Sequence, residues 1–213
     1  MKPLYIIGAG GAAKEIYLLV KELNKVDHIY EFKGFVDITT ERFLQIGGAQ
    51  HDIINESVLL HESDEKVAIV FGLGDINKLK KIVVQYTDKD IFEFPNIIHP
   101  SVQIDESISL GMGNVITTHS VFTVDTVLGS FNYINRGVHL GHDCKIGSYN
   151  VINPCSVISG GVTIGDENLI GTNATILQYL EIGSKNKIGA GAVVTKDILD
   201  NSCMIGIPAK NIE

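Results

Sequence analysis

The sequence predicts two architectures in one chain: a Rossmann-like α/β domain over residues 1–95, then a parallel β-helix of hexapeptide repeats with a C-terminal tail over residues 96–213. Three observations carry this. From Ile104 to Val194 an aliphatic or Phe residue stands at every sixth position without a break. A glycine directly follows that position at Gly111, Gly129, Gly141, Gly147, Gly165, Gly171, Gly183 and Gly189. The first residues read as strand, glycine turn and helix. A helix period near 3.6 or plain strand alternation cannot sustain a six-residue repeat, whereas a solenoid of short strands does.

The N-terminal elements follow in order. Leu4-Tyr5-Ile6-Ile7 is a short apolar strand, Gly8-Ala9-Gly10-Gly11 a tight turn, and Ala12 to Lys25 a helix with Ile16, Leu19, Val20 and Leu23 on one face. Such a unit cradles phosphate at the helix N-terminus. Phe32 to Val36 is a second strand ending at Asp37, about where a Rossmann acid meets a ribose or base. Val67 to Phe71 is a third strand, followed by Gly72-Leu73-Gly74-Asp75 and a helix over Asn77 to Gln85. Ile91 to Phe94 completes a small parallel sheet, and Pro95 marks the boundary. Ile46 to Glu56 reads as an excursion with no assignable fold. Gly8-Ala9-Gly10-Gly11 lacks the full G-x-G-x-x-G spacing, since position 13 is Ala. That disfavours a dinucleotide dehydrogenase and leaves a packing turn or a held mononucleotide or nucleotide-sugar diphosphate. For the second, Gly8, Gly10, Gly11, Asp37 and Gly74 are the candidate contacts.

In the repeat, the glycines suit corners where the chain turns tightly or takes positive φ. Four residues after the aliphatic position stand small, β-branched or amide side chains, among them Ser120, Thr126, Val138, Cys144, Ser156, Val162, Ala174 and Ala192, expected to point inward near a corner. Three hexads make one triangular coil of eighteen residues, giving about five stacked coils of parallel strands.

Composition agrees with a soluble cytoplasmic enzyme. The chain has 213 residues, 45% of them hydrophobic, and no run long enough to span a membrane. A net charge of −8 disfavours a nucleic-acid partner. Cys144, Cys155 and Cys203 have no metal-type spacing and suit reduced thiols. No metal is expected.

Tyr5 to Gly11, Asn96-Ile97-Ile98-His99-Pro100, Asn135 to Gly147, Ile188-Gly189-Ala190-Gly191 and Gly206-Ile207-Pro208-Ala209-Lys210 together resemble the bacterial sugar O- and N-acyltransferase family. That family includes the UDP-4-amino-sugar acetyltransferase of bacillosamine synthesis and the sialic-acid O-acetyltransferase type. The resemblance covers nearly the whole chain. It implies a left-handed β-helix, a homotrimer with sites between subunits, acetyl-CoA as donor and a role in glycan biosynthesis.

Moving an acetyl group from a thioester to an amine or hydroxyl requires removal of a proton as the adduct forms, work suited to imidazole. By phase, His139 and His142 both point outward, which on a β-helix usually marks a plain surface residue. The resemblance of Gly141 to Gly147 to the family's base-bearing segment singles out His142 as general base, with Asp143 either its partner or a surface carboxylate. It also places Asn135 at the sugar, Gly160 at the thioester, and Ala190 and Pro208 along the pantetheine arm. Two positions depart from the family. Ala12 replaces a histidine after the double glycine. Val151 replaces a second histidine that meets the acetyl carbonyl, leaving acyl orientation to backbone groups.

The leading expectation is direct N-acetylation of a nucleotide-linked 4-amino-6-deoxy sugar by acetyl-CoA, with O-acetylation of a sugar or sialic acid as the alternative. A zinc hydratase of the γ-carbonic-anhydrase type would need a third histidine beside His139 and His142. A passive or ice-binding solenoid would leave the Rossmann-like half without a purpose and would need a regular Thr ladder.

Overall fold

The computed structural model describes residues 1–56, 59 and 66–212. The chain divides into two compact units, Met1–Ile97 and Ile98–Glu213.

The first unit is a mixed sheet with two described long helices. Its elements are β1 (Lys2–Ile7), α1 (Gly11–Val26), β2 (Tyr30–Asp37), β3 (Phe43–Ile46), β4 (Ala49–Asn55), β5 (Val67–Phe71), α2 (Ile76–Thr87) and β6 (Phe92–Glu93). The strand order is β3-β4-β2-β1-β5-β6. All neighbours are parallel except β3 and β4. Every residue of β5 is buried, as expected for a parallel strand covered on both faces. Helix α1 buries Ala13, Ile16, Leu19 and Val20, whereas Leu23 is only half-buried. Burying such a side chain contributes about 2 kcal/mol.

Close packing dictates two of the glycines. A Cβ at Gly72 would lie 2.6 Å from the Ala13 Cα, so α1 reaches the end of β5 only because position 72 has no side chain. Gly8 has φ +108 and would meet the Gly72 carbonyl at 2.8 Å. The stretch read as an excursion is instead a hairpin at the sheet edge. Gly47 and Gly48 (φ 55 and 82) form its two-residue turn, the geometry that continues the twist of paired strands.

The second unit is a left-handed parallel β-helix. Its first face stacks Val121–Phe122, His139–Leu140, Val157–Ile158, Thr175–Ile176 and Val193–Val194. The second face runs from Ser109–Leu110 to Glu181–Ile182. The third runs through Val115–Ile116, Tyr133–Ile134, Val151–Ile152, Leu169–Ile170 and Lys187–Ile188, then takes in the tail strand Cys203–Ile205. Register partners are separated by one coil, as in Phe122 against Leu140 and Leu140 against Ile158. The inward aliphatics form one continuous core with the small residues four positions later, from Val138 and Cys144 to Ala192.

The glycines after the aliphatic positions do not take positive φ, contrary to one of the two reasons the sequence suggested. Positive φ falls two residues further on, at Asp125, Asp143, Gly161 and Tyr179 on one corner and at equivalent positions on the other two. A non-glycine residue there costs about 1–2 kcal/mol. Hydrogen bonds between coils offset it, such as Asp143 N–H to the Val124 carbonyl (3.0 Å) and Tyr149 N–H to that of Ser130 (2.9 Å). The glycines are required by crowding between coils: a Cβ at Gly129 would lie 2.6 Å from the Gly147 carbonyl oxygen.

One corner is held by an amide ladder. Asn114, Asn132, Asn150, Asn168 and Asn186 are buried. Asn132 Nδ2 donates to Asn114 Oδ1 (3.0 Å), Asn150 Nδ2 to Asn132 Oδ1 (3.1 Å) and Asn168 Nδ2 to Asn150 Oδ1 (3.1 Å). Each Oδ1 also accepts the backbone N–H of the next rung. Satisfied amides of this kind stabilise by about 1 kcal/mol per bond, and more is lost when one rung is missing.

Candidate active site

In the first unit, the carboxyl ends of β1, β2 and β5 frame a cleft of about 440 Å³. It lies where the sheet order reverses between β1 and β5, the position at which open α/β sheets bind ligands. Gly8, Asp37 and Leu73 line its rim. Around Gly10, Gly11 and Gly74 a Cβ would meet nothing within 4 Å, so packing does not demand these glycines and their backbone is open to an approaching group. Helix α1 follows its N-cap Gly10 with no side-chain cap and no acidic residue in its first turn. Its leading N–H groups therefore favour an anion.

The Asp37 carboxylate is already engaged. Oδ2 accepts the Ala9 N–H (2.9 Å) and Oδ1 the Thr39 N–H (3.0 Å), which ties the glycine turn to the end of β2. Four polar residues lining the cleft escaped the sequence reading: Glu56, Lys78, Lys81 and Gln85. Lys78, Lys81 and Gln85 are spaced i, i+3, i+7 on α2. That spacing was the only available sign, and it looks like any solvated helix face.

On the β-helix, His142 and Asp143 stand where the first face turns into the second. Both are exposed, and His142 Nδ1 lies 2.7 Å from Asp143 Oδ2. This contact makes Nδ1 the protonated nitrogen and leaves the Nε2 lone pair free to accept a proton. One coil further, a Cβ at Gly160 would lie 2.3 Å from Nε2, so the imidazole rests on the bare glycine backbone. The Gly161 N–H donates to the His142 carbonyl (2.7 Å), and the Tyr179 ring covers Gly161 in turn. Cys144, next in sequence, points into the core and donates to the Ser159 carbonyl (3.2 Å), its pKa raised by burial.

Among the described residues the Gly160 N–H donates to no acceptor. The corner between the second and third faces differs. There the equivalent N–H is capped by a side chain one coil on: Met112 by Ser130 Oγ (3.1 Å), Ser130 by Ser148 Oγ (3.0 Å) and Ser148 by Asp166 Oδ1 (2.7 Å). Gly160 supplies no such cap to His142, and among the described residues its own N–H also stays open. This corner thus presents a lone-pair base beside an unoccupied donor.

The other expected residues do not gather there. Asn135, largely buried, ends a third-face strand, and its carbonyl accepts the Ser120 Oγ–H (3.0 Å). Ala190 leads from the third face into the first, against Gly171. The tail that carries Pro208 bonds to the last first-face strand, with Ala209 N–H to the Val193 carbonyl (2.8 Å). Asn135, Ala190 and Pro208 thus lie toward one edge of the first face, and His142, Asp143 and Gly160 along the other. Val151, at the position of the absent histidine, is buried on the third face. His139 is exposed on the first face.

A model of the bacterial transferase hexapeptide family (six repeats) matches residues 125–160, the stretch that holds His142 and Gly160. An uncharacterised protein of Acanthamoeba polyphaga mimivirus is 35% identical over 132 residues, 62% of this chain, and the chain spans only 24% of that relative's length. Whole-chain likeness comes from solved structures. A His→Asn variant of perosamine N-acetyltransferase from Caulobacter crescentus, in complex with CoA and GDP-perosamine, superposes with TM-score 0.88 at 25% identity, covering 100% of this chain and 98% of that one. The acetyltransferase domain of PglB from Neisseria gonorrhoeae FA1090, in complex with acetyl coenzyme A, gives 0.87 at 28% identity, covering 99% of each. With a hexapeptide match across the His142 corner and likeness to such enzymes from end to end, the chain is similar to the bacterial sugar N-acetyltransferases with hexapeptide repeats.

Proposed function

We propose that the protein transfers an acetyl group directly from acetyl-CoA to the amine of a nucleotide-linked 4-amino-6-deoxy sugar. The observation that carries this is the His142–Gly160 pair. The free Nε2 takes the amine proton as nitrogen attacks the thioester carbonyl, Asp143 stabilises the imidazolium, and the open Gly160 N–H donates to the developing oxyanion. Collapse of the adduct expels the CoA thiolate, which receives the proton from His142. A preorganised donor of this kind is worth about 10²–10³-fold in rate. The first unit holds the nucleotide, with diphosphate at the α1 N-terminus and the base in the cleft beside Asp37. The structures of relatives with CoA, acetyl-CoA and a nucleotide-linked amino sugar support the same choice of substrates.

Because Asn135, Ala190 and Pro208 lie across the first face from His142, a site that uses all of them draws on two chains. We place it between subunits of a homotrimer. The test pairs His142→Ala with Asn135→Ala. Each variant alone should lose most of its thiol release from acetyl-CoA, and the two mixed during refolding should regain part of it in hybrid interfaces. Sedimentation as an active monomer, or no recovery in hybrids of proven mixed composition, would refute the shared site. A panel of nucleotide-linked amino sugars beside free hydroxyl acceptors decides between N- and O-transfer.

A further inference from the structure

We infer that the ring of Tyr179 sets the size of the acyl group that the enzyme transfers, holding it to acetyl. The inference rests on the acetyl-CoA reading of the His142 corner and adds the residue that limits the donor. Tyr179 stands in that corner, one coil beyond Gly161. Its N–H donates to the Gly160 carbonyl (3.0 Å), while the Gly161 N–H donates to the His142 carbonyl (2.7 Å). The peptide between the two glycines is thus fixed from both neighbouring coils. A Cβ at Gly160 would clash with the His142 imidazole, and one at Gly161 with Cδ1 and Cε1 of the Tyr179 ring. Two rings from opposite coils therefore lie on adjacent residues, whose Cα atoms are about 3.8 Å apart.

The corner between the second and third faces shows such a ring in a packing role. There Phe131 lies on Gly113, and Phe131 and Tyr149 take positive φ as Tyr179 does, a conformation bulky side chains rarely adopt. Tyr149 stacks on Phe131 with centroids 5.4 Å apart, and Phe131 is buried. Tyr179 is 70% exposed, and among the described residues no aromatic ring stacks on it. Its outer face is bare beside the Gly160 N–H.

With the thioester oxygen on the Gly160 N–H and the amine arriving over His142 Nε2, the carbonyl plane leaves two directions, one for sulfur and one for the acyl chain. Sulfur leads the CoA arm to the first-face side, toward the edge that carries Ala190 and Pro208 in the shared site. The acyl chain is left with the second-face side, where the first residue it meets is Gly161 with the Tyr179 ring upon it. A methyl group rests against that ring as an apolar contact. Each further methylene has to displace it, and overfilling a packed site is unfavourable.

The test is steady-state transfer by the intact protein from acetyl-, propionyl- and butyryl-CoA, followed by thiol release. The acceptor is the best among GDP-, UDP- and dTDP-linked 4-amino-6-deoxy sugars. Wild type should lose about tenfold in kcat/KM with each added methylene. Tyr179→Ala should bring the three donors within about threefold of one another, mainly by raising butyryl transfer. Tyr179→Phe keeps the ring and should keep the wild-type order, since the hydroxyl has no part in the wall. Inhibition by free CoA, which carries no acyl group, should change by less than about twofold in either variant. A ring needed only for folding would lower all three donors together and leave their ratio as it is. Wild type using butyryl-CoA as readily as acetyl-CoA, or an acetyl-to-butyryl ratio unmoved by Tyr179→Ala, overturns the inference while leaving acetyl transfer standing. Transfer from acetyl-CoA to none of the acceptors overturns the amino-sugar reading and the inference with it.

Discussion

The imidazole of His142 fills the space in which a Cβ at Gly160 would stand, 2.3 Å from Nε2. Base and donor are therefore one packed unit, each holding the geometry of the other across neighbouring coils.

Gly160→Ala should lower kcat by about 10²-fold or more, because the methyl group displaces the imidazole from the position it needs. Far-ultraviolet circular dichroism and Tm should change little, since the ring is exposed and free to swing away. Wild-type turnover in this variant would remove the pair from the mechanism.

Asp143→Asn should reduce kcat/KM by roughly 10- to 100-fold. The pair is exposed to water, which screens its charge, so the loss should stay well short of that for His142→Ala. Steady-state kinetics on both variants decides; equal losses would mean that Asp143 does more than orient the ring.

Asn150→Ala removes the central rung of the amide ladder and leaves the Asn168 N–H and Nδ2 without their acceptor. The expected cost is about 3 kcal/mol, read by urea denaturation as a lowered midpoint with an unchanged slope. An unshifted midpoint would show that water replaces the rung without penalty.

Native protein should present Cys155 to a thiol reagent first and withhold Cys144, which is buried while Cys155 is exposed. Burial raises the Cys144 pKa in the folded state, so its contribution to stability is complete below the unfolded thiol's pKa. As pH rises past that value the unfolded chain ionises first, and stability falls until the folded pKa is passed. Mass spectrometry after timed alkylation, and denaturation midpoints of wild type and Cys144→Ala above about pH 9, check both statements.

The two units differed in how far they could be read from sequence. A six-residue period is a backbone property repeated many times, so the inward columns from Phe122 to Val194 emerged directly. The glycines after them were legible as special but only partly for the right reason, because crowding by the next coil is invisible in one dimension. The β3–β4 hairpin was missed although Gly47-Gly48 marks its turn; its strands are short, and only β4 joins the main sheet. His142 looked like an ordinary outward histidine, and only the resemblance set it apart, because its partner Gly160 lies eighteen residues away. Glu56, Lys78 and Lys81 share a cleft assembled from three strand ends and a helix, a convergence that no local pattern records.

The eighteen-residue register also constrains how this chain tolerates insertions and deletions. Loss or gain of one whole coil outside residues 142–160 keeps each remaining rung opposite a rung of its own kind, so Asn meets Asn and Gly160 still lies beneath His142. Loss of a single hexad preserves the six-residue hydrophobic pattern yet turns every later residue by one face. It would keep the aliphatic columns but carry Gly160 away from His142 and set each later Asn opposite a different residue, so that the site and the amide ladder are lost together.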